Sequence, residues 1–591
     1  MTTYQSPEPA RGVRWQSVAK WAGLAIALII VVFGALFAWD GWKLNSAAAD
    51  LKTHAAKAQQ AVTARDAKAL ATEVAQVQAA SDAFASHTDG PQWWVATHLP
   101  WVSAQAVPLQ QAGNSVRNVA EGALAPLAAL PNLDALKAPQ IVDGRIDPYV
   151  LEPYRDTLAQ AAGVLNEETA ALSEVSLDGT VSQVRTPFLA LEADLVTLGD
   201  TIQGAHVAAE VLPSMLGADG PRTYIVMVQN NAEPRTTGGI AGAVLEMTVN
   251  DGRMTLERYA TATSMISRDE DVATLTDDEE RIFTSRMVHY PQDVNFTPEF
   301  PRSAELMTAF WEHEYSDVPD AVVSVDPVAL GYMLEGMPDT DVDGVTINGG
   351  NLSDVMLRDS YLVFPEPDDQ DEFFAHASQV LFGQLLSGAT SAVGGAEQAI
   401  DERRLLVWSP VEFEQKLLET TKVAGDFIAD AGALGVFIND GSGSKIGYYI
   451  DRATDVVDHL CTDGSLRGQT VTMTLTHAFD GNVAKLPWYV SGGGNYVPEG
   501  EFHANVLVYP PSGLGLTKYL QDGQTAFLNP ESHHGRPVAT ARVVLLPGES
   551  TTLTFELDAN ELGLLPESFV DTPGSKPNVY TRTVDSYSED C

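Results

Sequence analysis

The longest apolar stretch runs from Trp21 to Trp39 (WAGLAIALIIVVFGALFAW) with no charged residue. About 20 apolar residues in a helix cross a hydrocarbon core about 30 Å thick, so the run predicts a transmembrane anchor. Trp21, Trp39 and Trp42 fit the aromatic belt at the membrane surfaces. Arg11, Arg14 and Lys20 precede the run, whereas Lys43 follows it beside Asp40. Positive charge stays inside, which predicts a cytoplasmic tail at 1–20, an anchor at 21–39 and the bulk of the chain outside. A cleaved signal at Ala47-Ala48-Ala49 is the competing reading, but a signal's apolar core spans only about 7 to 15 residues.

Beyond the anchor the periodicity is helical. Leu51, Ala55, Ala58, Val62, Leu70, Val74 and Val77 form a stripe at helix spacing. His87-Thr88-Asp89-Gly90-Pro91 breaks it, and Trp93, Trp94 and Trp101 follow. These tryptophans read as the plug of a helix junction, with a glycan-stacking platform as the alternative. Helical patterning continues to about residue 215, giving a helical ectodomain region over 40–215.

Over 216–430 the pattern turns to mixed α/β. Strand-like runs occur at Tyr224–Val228 and Ala243–Val249, the second closed by Asn250-Asp251-Gly252, a strong hairpin turn. Met254–Tyr259 reads as the return strand. Helices are expected at Arg302–His313, Pro327–Leu334 and Asp371–Leu386, with a strand at Ala321–Val325. Over 431–591 strict alternation at Thr470–Thr476 and Leu553–Leu557, with dense Gly and Pro, predicts a β-sandwich-like domain. The fold class expected is therefore a multidomain α+β protein: anchor, helical membrane-proximal region, mixed α/β central domain and C-terminal β-sandwich.

Charge narrows the function classes. Thirty-five basic against 79 acidic residues leave a formal charge of −44. Nucleic-acid binding is excluded as a default, because it needs a basic face to displace counterions. The 591 residues hold two cysteines, too few for a disulfide-dense scaffold or a cysteine metal site. Cys461 and Cys591 are candidates for one bridge tying the C-terminus to the body, in keeping with an exported chain. Two separate thiols are the alternative.

The densest polar segment is Gln229-Asn230-Asn231-Ala232-Glu233-Pro234-Arg235-Thr236-Thr237-Gly238-Gly239, directly after a hydrophobic strand. Glycine amides converge readily on an anion, and an arginine adds a bidentate clamp, so this segment is a candidate phosphate or sugar site. A polar loop capping its own turns is the bland alternative. Arg235, Arg258, Arg302 and Arg358 lie near strand ends or helix starts and are candidates to converge on a polyanion. Four separate ion pairs are the alternative. Asp339-Thr340-Asp341-Val342-Asp343-Gly344 matches half a calcium loop, but Gly350 stands where a bidentate glutamate is required. Gly441-Ser442-Gly443-Ser444-Lys445 is a turn that only resembles a P-loop, and His533-His534 lacks metal-spaced partners in the sequence.

The QNNAEPRTTGG segment with its NDG hairpin is similar to the signature of an actinobacterial domain-of-unknown-function family, number 4012. Tyr290–Thr297 before a helix, and Gly435–Asp440 running into Lys445–Tyr449, agree with it. The resemblance covers most of the chain after the anchor and implies a cell-envelope protein. The order Asn295, the helix at Arg302, the strand Ala321–Val325 and Asp326–Gly336 also resembles LytR-CpsA-Psr wall phosphotransferases. Thr237 stands where their aspartate is expected, and Tyr259-Ala260 where their Pro-Arg-Asp motif would follow.

That likeness implies a polyprenyl-linked glycan or cell-wall polymer as partner and magnesium as the metal. Arg235 and Arg302 would neutralise a diphosphate in catalysis. Gln229, Asn230, Asn231, Glu233, Thr236, Gly238, Gly239, Asn295, Arg258 and Arg358 would bind the ligand. A non-catalytic envelope scaffold is the alternative function, and nothing in the pattern sets an oligomeric state.

Overall fold

The computed structural model describes residues 43–586 except 45, 56, 59, 62–66, 89, 131–140, 143, 388–390, 462–464 and 564–567. The expected anchor at 21–39 and Cys591 lie outside the described residues. Among the described residues no helix is long and apolar enough to cross a membrane. The chain is a mixed α/β protein with several sheets, and it divides into two compact units.

The first unit comprises residues 1–133 and 157–202. Its helices include Ala67–Ser86, Pro91–His98 and Ser103–Val119. Leu70 and Val74 are buried, as their helical spacing predicts. Of the three tryptophans, only Trp93 is a plug: it packs with Leu44, Ala96 and Ala106. Trp94 and Trp101 are 65% and 78% exposed, so the expected three-ring junction is corrected to one ring.

The second unit, residues 134–156 and 203–591, holds all the sheets found among the described residues. Its first sheet combines β1 (Ile141–Val142), β2 (Arg145–Ile146), β3 (Arg222–Arg235), β4 (Gly238–Asn250), β5 (Arg253–Thr261), β6 (Ala321–Val325) and β9 (Leu405–Trp408), in the order β1-β2-β5-β4-β3-β6-β9. β7 (Thr340–Val342) and β8 (Val345–Ile347) form a separate hairpin. The β4–β5 turn is Asp251-Gly252 with φ of +47° and +74°, the type I′ geometry that an Asp-Gly pair favours.

The second sheet has β10 (Leu434–Asp440), β13 (Phe502–Tyr509), β16 (Asn529–His533), β17 (Arg536–Leu545) and β19 (Phe569–Asp571). The third has β11 (Ile450–Leu460), β12 (Leu466–His477), β14 (Leu514–Gln521), β15 (Gln524–Thr525), β18 (Ser550–Gly563) and β20 (Val579–Ser586). β12 bears out its alternation. Val471, Met473 and Leu475 are buried, while Thr474 and Thr476 face outward and meet Thr552 and Ser550 across the ladder.

β10 explains how these layers join. All seven of its residues are buried, and Leu434–Ile438 read as a continuous apolar run rather than an alternating one. Val436 and Ile438 enter the core shared with β12 and β18. Phe437, pointing the opposite way, enters the core built by the helix Phe300–Tyr315 and β3, β4 and β6. Phe300, Phe310 and Trp311 of that helix are fully buried there, each stabilising the fold by about 1.5–3 kcal/mol. The second sheet is thus a middle layer with apolar residues on both faces.

Candidate functional site

The QNNAEPRTTGG segment is not a surface loop. β3 continues through Arg235, and Thr236-Thr237 turn the chain into β4, with Arg235 opposite Gly238. Between Asn230, paired with Ile240, and Pro234, paired with Gly239, the extra residues 231–233 bulge from the ladder. Gln229, Asn231, Glu233, Arg235, Thr236 and Thr237 are all buried. So polar a segment survives in the interior only if its groups find partners.

They do. Gln229 donates to Ser324 Oγ and accepts the Gly239 N–H at 2.7 Å. Asn230 donates to the Tyr361 hydroxyl at 2.6 Å. Asn231 donates to Asp326 and to the Pro573 carbonyl, both at 3.0 Å. Glu233 meets Lys445 at 2.6 Å. The Thr236 N–H donates to Asn439 Oδ1 at 2.9 Å, and its hydroxyl donates to the Phe296 carbonyl at 2.5 Å. Asn295 donates to the Gly239 carbonyl at 2.9 Å.

Arg235 sits over the Phe296 ring and is bound by Asp293 at 2.9 Å, with Asp440 at 3.9 Å. Burial alone would lower its pKa, but Asp293, Asp440 and Glu233 outweigh that and raise it. Its charge is therefore permanent and already neutralised. Asp293 also receives Arg286 at 2.7 Å. Glu233, for its part, is held below the ordinary carboxylate range because Lys445 overcomes the burial penalty.

The expected anion nest is filled as well. The Gly239 amide is taken by Gln229, and a Cβ on Gly239 would lie 2.1 Å from the Asn230 carbonyl oxygen. The glycine is there for close backbone approach within the hairpin. The turn that resembles a P-loop behaves likewise: the Ser442 and Gly443 amides donate to Asp440, and Lys445 is committed to Glu233. A small pocket beside the hairpin, lined by Thr236, Thr237, Arg403, Phe437, Asp571 and Pro573, encloses about 10 Å³, room for about one water. The buried Thr237 hydroxyl, which lacks a protein partner, lines this pocket.

The other arginines do not share Arg235's surroundings. Arg302 bonds Glu279 at 2.7 Å, Glu305 at 3.1 Å and the Thr274 carbonyl. Arg258 pairs with Glu246 at 3.2 Å and lies over Tyr315. Arg358 is held by Asp359 at 2.6 Å and donates to the Tyr448 hydroxyl. No two of the four share a carboxylate, so the expected convergence on one polyanion gives way to separate ion pairs. The half calcium loop is the β7–β8 hairpin. Asp341 accepts the Gly344 N–H, Asp339 accepts from Asn348 and Asp343 faces His376, so the carboxylates serve different partners.

Sequence reasoning missed Asp293, Asn439, Asp440, Lys445, Asp326 and Arg404. Asp326 caps the helix Pro327–Met333 by accepting the Ala329 N–H, and it also receives Arg404 at 2.7 Å. The Asp-Pro pair at 326–327 is a helix-start signal that marked the first role but not the second.

Thr276 and Glu279 form a capping box on the helix Asp277–Phe283. Thr276→Ala is expected to cost about 1 kcal/mol, read as a lower urea midpoint. An unchanged midpoint would show that the cap contributes nothing.

Burial pushes the Asp440 carboxyl up to about 6 from an ordinary 3.8, against the pull of Arg235. A raised folded-state pKa stabilises at low pH, and that stability is lost as pH rises from about 4 through about 6. Wild-type stability is therefore expected to fall over that window relative to Asp440→Asn, measured as paired urea midpoints across the range. A constant gap between the two proteins would refute it.

No curated protein matches the chain and no solved structure does, so the phosphotransferase likeness rests on the order of sequence elements alone. Residues 219–361, a narrower stretch than the sequence resemblance suggested but one that contains the whole buried hairpin, match the model of the family described as Protein of unknown function (DUF4012).

Proposed function

We propose that the protein is a non-catalytic scaffold of the cell envelope, anchored in the plasma membrane by residues 21–39 with its acidic bulk outside. The observation that carries the non-catalytic part is the pairing of buried Arg235 with carboxylates of its own fold. A phosphoryl-transfer site stabilises charge with donors aimed at the place where that charge develops. Here the guanidinium donors go to Asp293 and the Pro234 carbonyl, and the neighbouring amides go to side chains of the same fold. The small pocket beside them is far below the size of a lipid-linked glycan. The polar hairpin acts instead as an internal clasp joining β3 to β6, to β10 and to the segment after β19.

The exported location is supported by the apolar run, by the basic residues before it and by Cys461, which is disulfide-bonded. Such bonds persist in oxidising compartments. A net charge of −44 suits a partner with a basic face. Photo-crosslinking from exposed positions of the full chain in intact cells is expected to give discrete protein adducts, and externally added protease should reach the bulk of the chain. Adducts confined to a lipid-linked glycan, or complete protection from protease, would defeat the reading.

A further inference from the structure

Away from the Arg235 hairpin, β16 and β17 are joined by a two-residue turn, His534-Gly535, with φ of +50° and +81°. These values define the mirror-image turn that fits the twist of a hairpin. Successive strand residues normally point to opposite faces. The left-handed turn instead brings the His534 ring alongside that of His533, with centroids 4.8 Å apart. Glu299, just before the helix Phe300–Tyr315, faces both. Its Oε2 lies 3.4 Å from His533 Nε2 and 3.5 Å from His534 Nε2, and the three potential ligand atoms all lie within 4.8 Å of one another.

Those separations are long for hydrogen bonds. The two distances to Glu299 are close to the edge of a tetrahedron, since ligands about 2.0–2.1 Å from a tetrahedral ion are about 3.3–3.4 Å apart. A second observation is independent of the spacing. His533 is fully buried, yet its Nε2 has no hydrogen-bond partner and faces Glu299. Its Nδ1 is 3.1 Å from the Tyr509 hydroxyl, which fixes the ring and leaves Nε2 as the ligand atom. The backbone is held too: the His534 N–H donates to Asp278, and Glu299 forms a bridge with Asp426.

We propose that Glu299, His533 and His534 bind one divalent ion of the zinc class. Two imidazoles and one carboxylate suit zinc and its late first-row neighbours, whereas magnesium and calcium favour oxygen ligands throughout. The partly exposed His534 leaves a fourth position open to solvent. The ion ties the β16–β17 turn to the start of the helix Phe300–Tyr315, two segments far apart in the chain. The site does not depend on the scaffold reading.

The test uses the untagged full chain, stripped with a chelator and dialysed against zinc or magnesium, with bound metal measured by elemental analysis. One zinc per chain is expected, with no comparable retention of magnesium. Cobalt(II) in its place should show the visible absorption of a tetrahedral centre. His534→Ala and Glu299→Gln alter side chains outside the deep core, and each should weaken zinc binding by at least about tenfold. Failure of the wild type to retain zinc, or equal retention by folded His534→Ala and Glu299→Gln proteins, would overturn the assignment.

Discussion

Arg235→Ala is expected to unfold the protein or leave it severely destabilised, by about 3–5 kcal/mol, rather than to silence a ligand site. The substitution takes the cation away from Asp440, which keeps only the Ser442 and Gly443 donors, and leaves Asp293 with Arg286 alone, in an interior where both carboxylates are about 1% exposed or less at the side chain. An unpaired buried charge costs far more than a lost surface pair. A domain's stability is only about 5–15 kcal/mol, so the loss is a large fraction of the whole. Arg235→Lys is expected to rescue little, because an ammonium lacks the planar fork that meets Asp293 through Nε and Nη2. Urea unfolding of the variants checks this. A folded Arg235→Ala protein with wild-type stability would mean that the ion cluster is not structural.

The next largest effect is expected from Cys461→Ser. Cys461 is disulfide-bonded, and Cys591 is the only other cysteine in the sequence. β20 runs parallel to β11 and places Ser586 beside Leu460, so the chain approaches Cys461 as it nears its end. β20 is also an edge strand of its sheet. A bridge closing so long a loop stabilises by about 2–4 kcal/mol, chiefly by restricting the unfolded chain. The variant should lose that much and should lose hydrogen-exchange protection first in β20. Peptide mapping without reductant should recover a Cys461–Cys591 link. Free thiols at both positions would contradict the prediction.

Elements whose partners are of one kind were readable in the sequence. β12 alternates because one face meets the β10 and β13 side chains in a shared core while its threonines meet solvent and the β18 threonines. The Asp251-Gly252 turn was readable because its backbone demands those residue types. The hairpin at 229–239 was not, although its composition was conspicuous. Local polarity suggested a solvated loop or a ligand cradle, yet the groups that satisfy it come from Asp293, Ser324, Asp326, Asn439, Lys445 and Pro573, all distant in sequence. Among 79 acidic residues no pattern says which carboxylate will meet which arginine.

The same limit hid the metal cluster. His533 and His534 are adjacent, but their third ligand precedes a helix in another layer, and only the fold brings Glu299 to them. The tryptophans erred in the other direction. Clustered aromatics suggested a shared plug, yet only Trp93 of the three is buried, because consecutive residues of the helix Pro91–His98 lie about 100° apart and Trp101 follows its end.

The central claim is that the Arg235 hairpin is an internal clasp whose arginine and Gly239 donors are directed at groups of the fold itself. The most direct test is calorimetric titration of the full chain with a polyprenyl pyrophosphate analogue, with and without magnesium. The account predicts no saturable binding under either condition. Saturable one-to-one binding that Thr237→Ala weakens while the protein stays folded would contradict it and restore the hairpin as a ligand site.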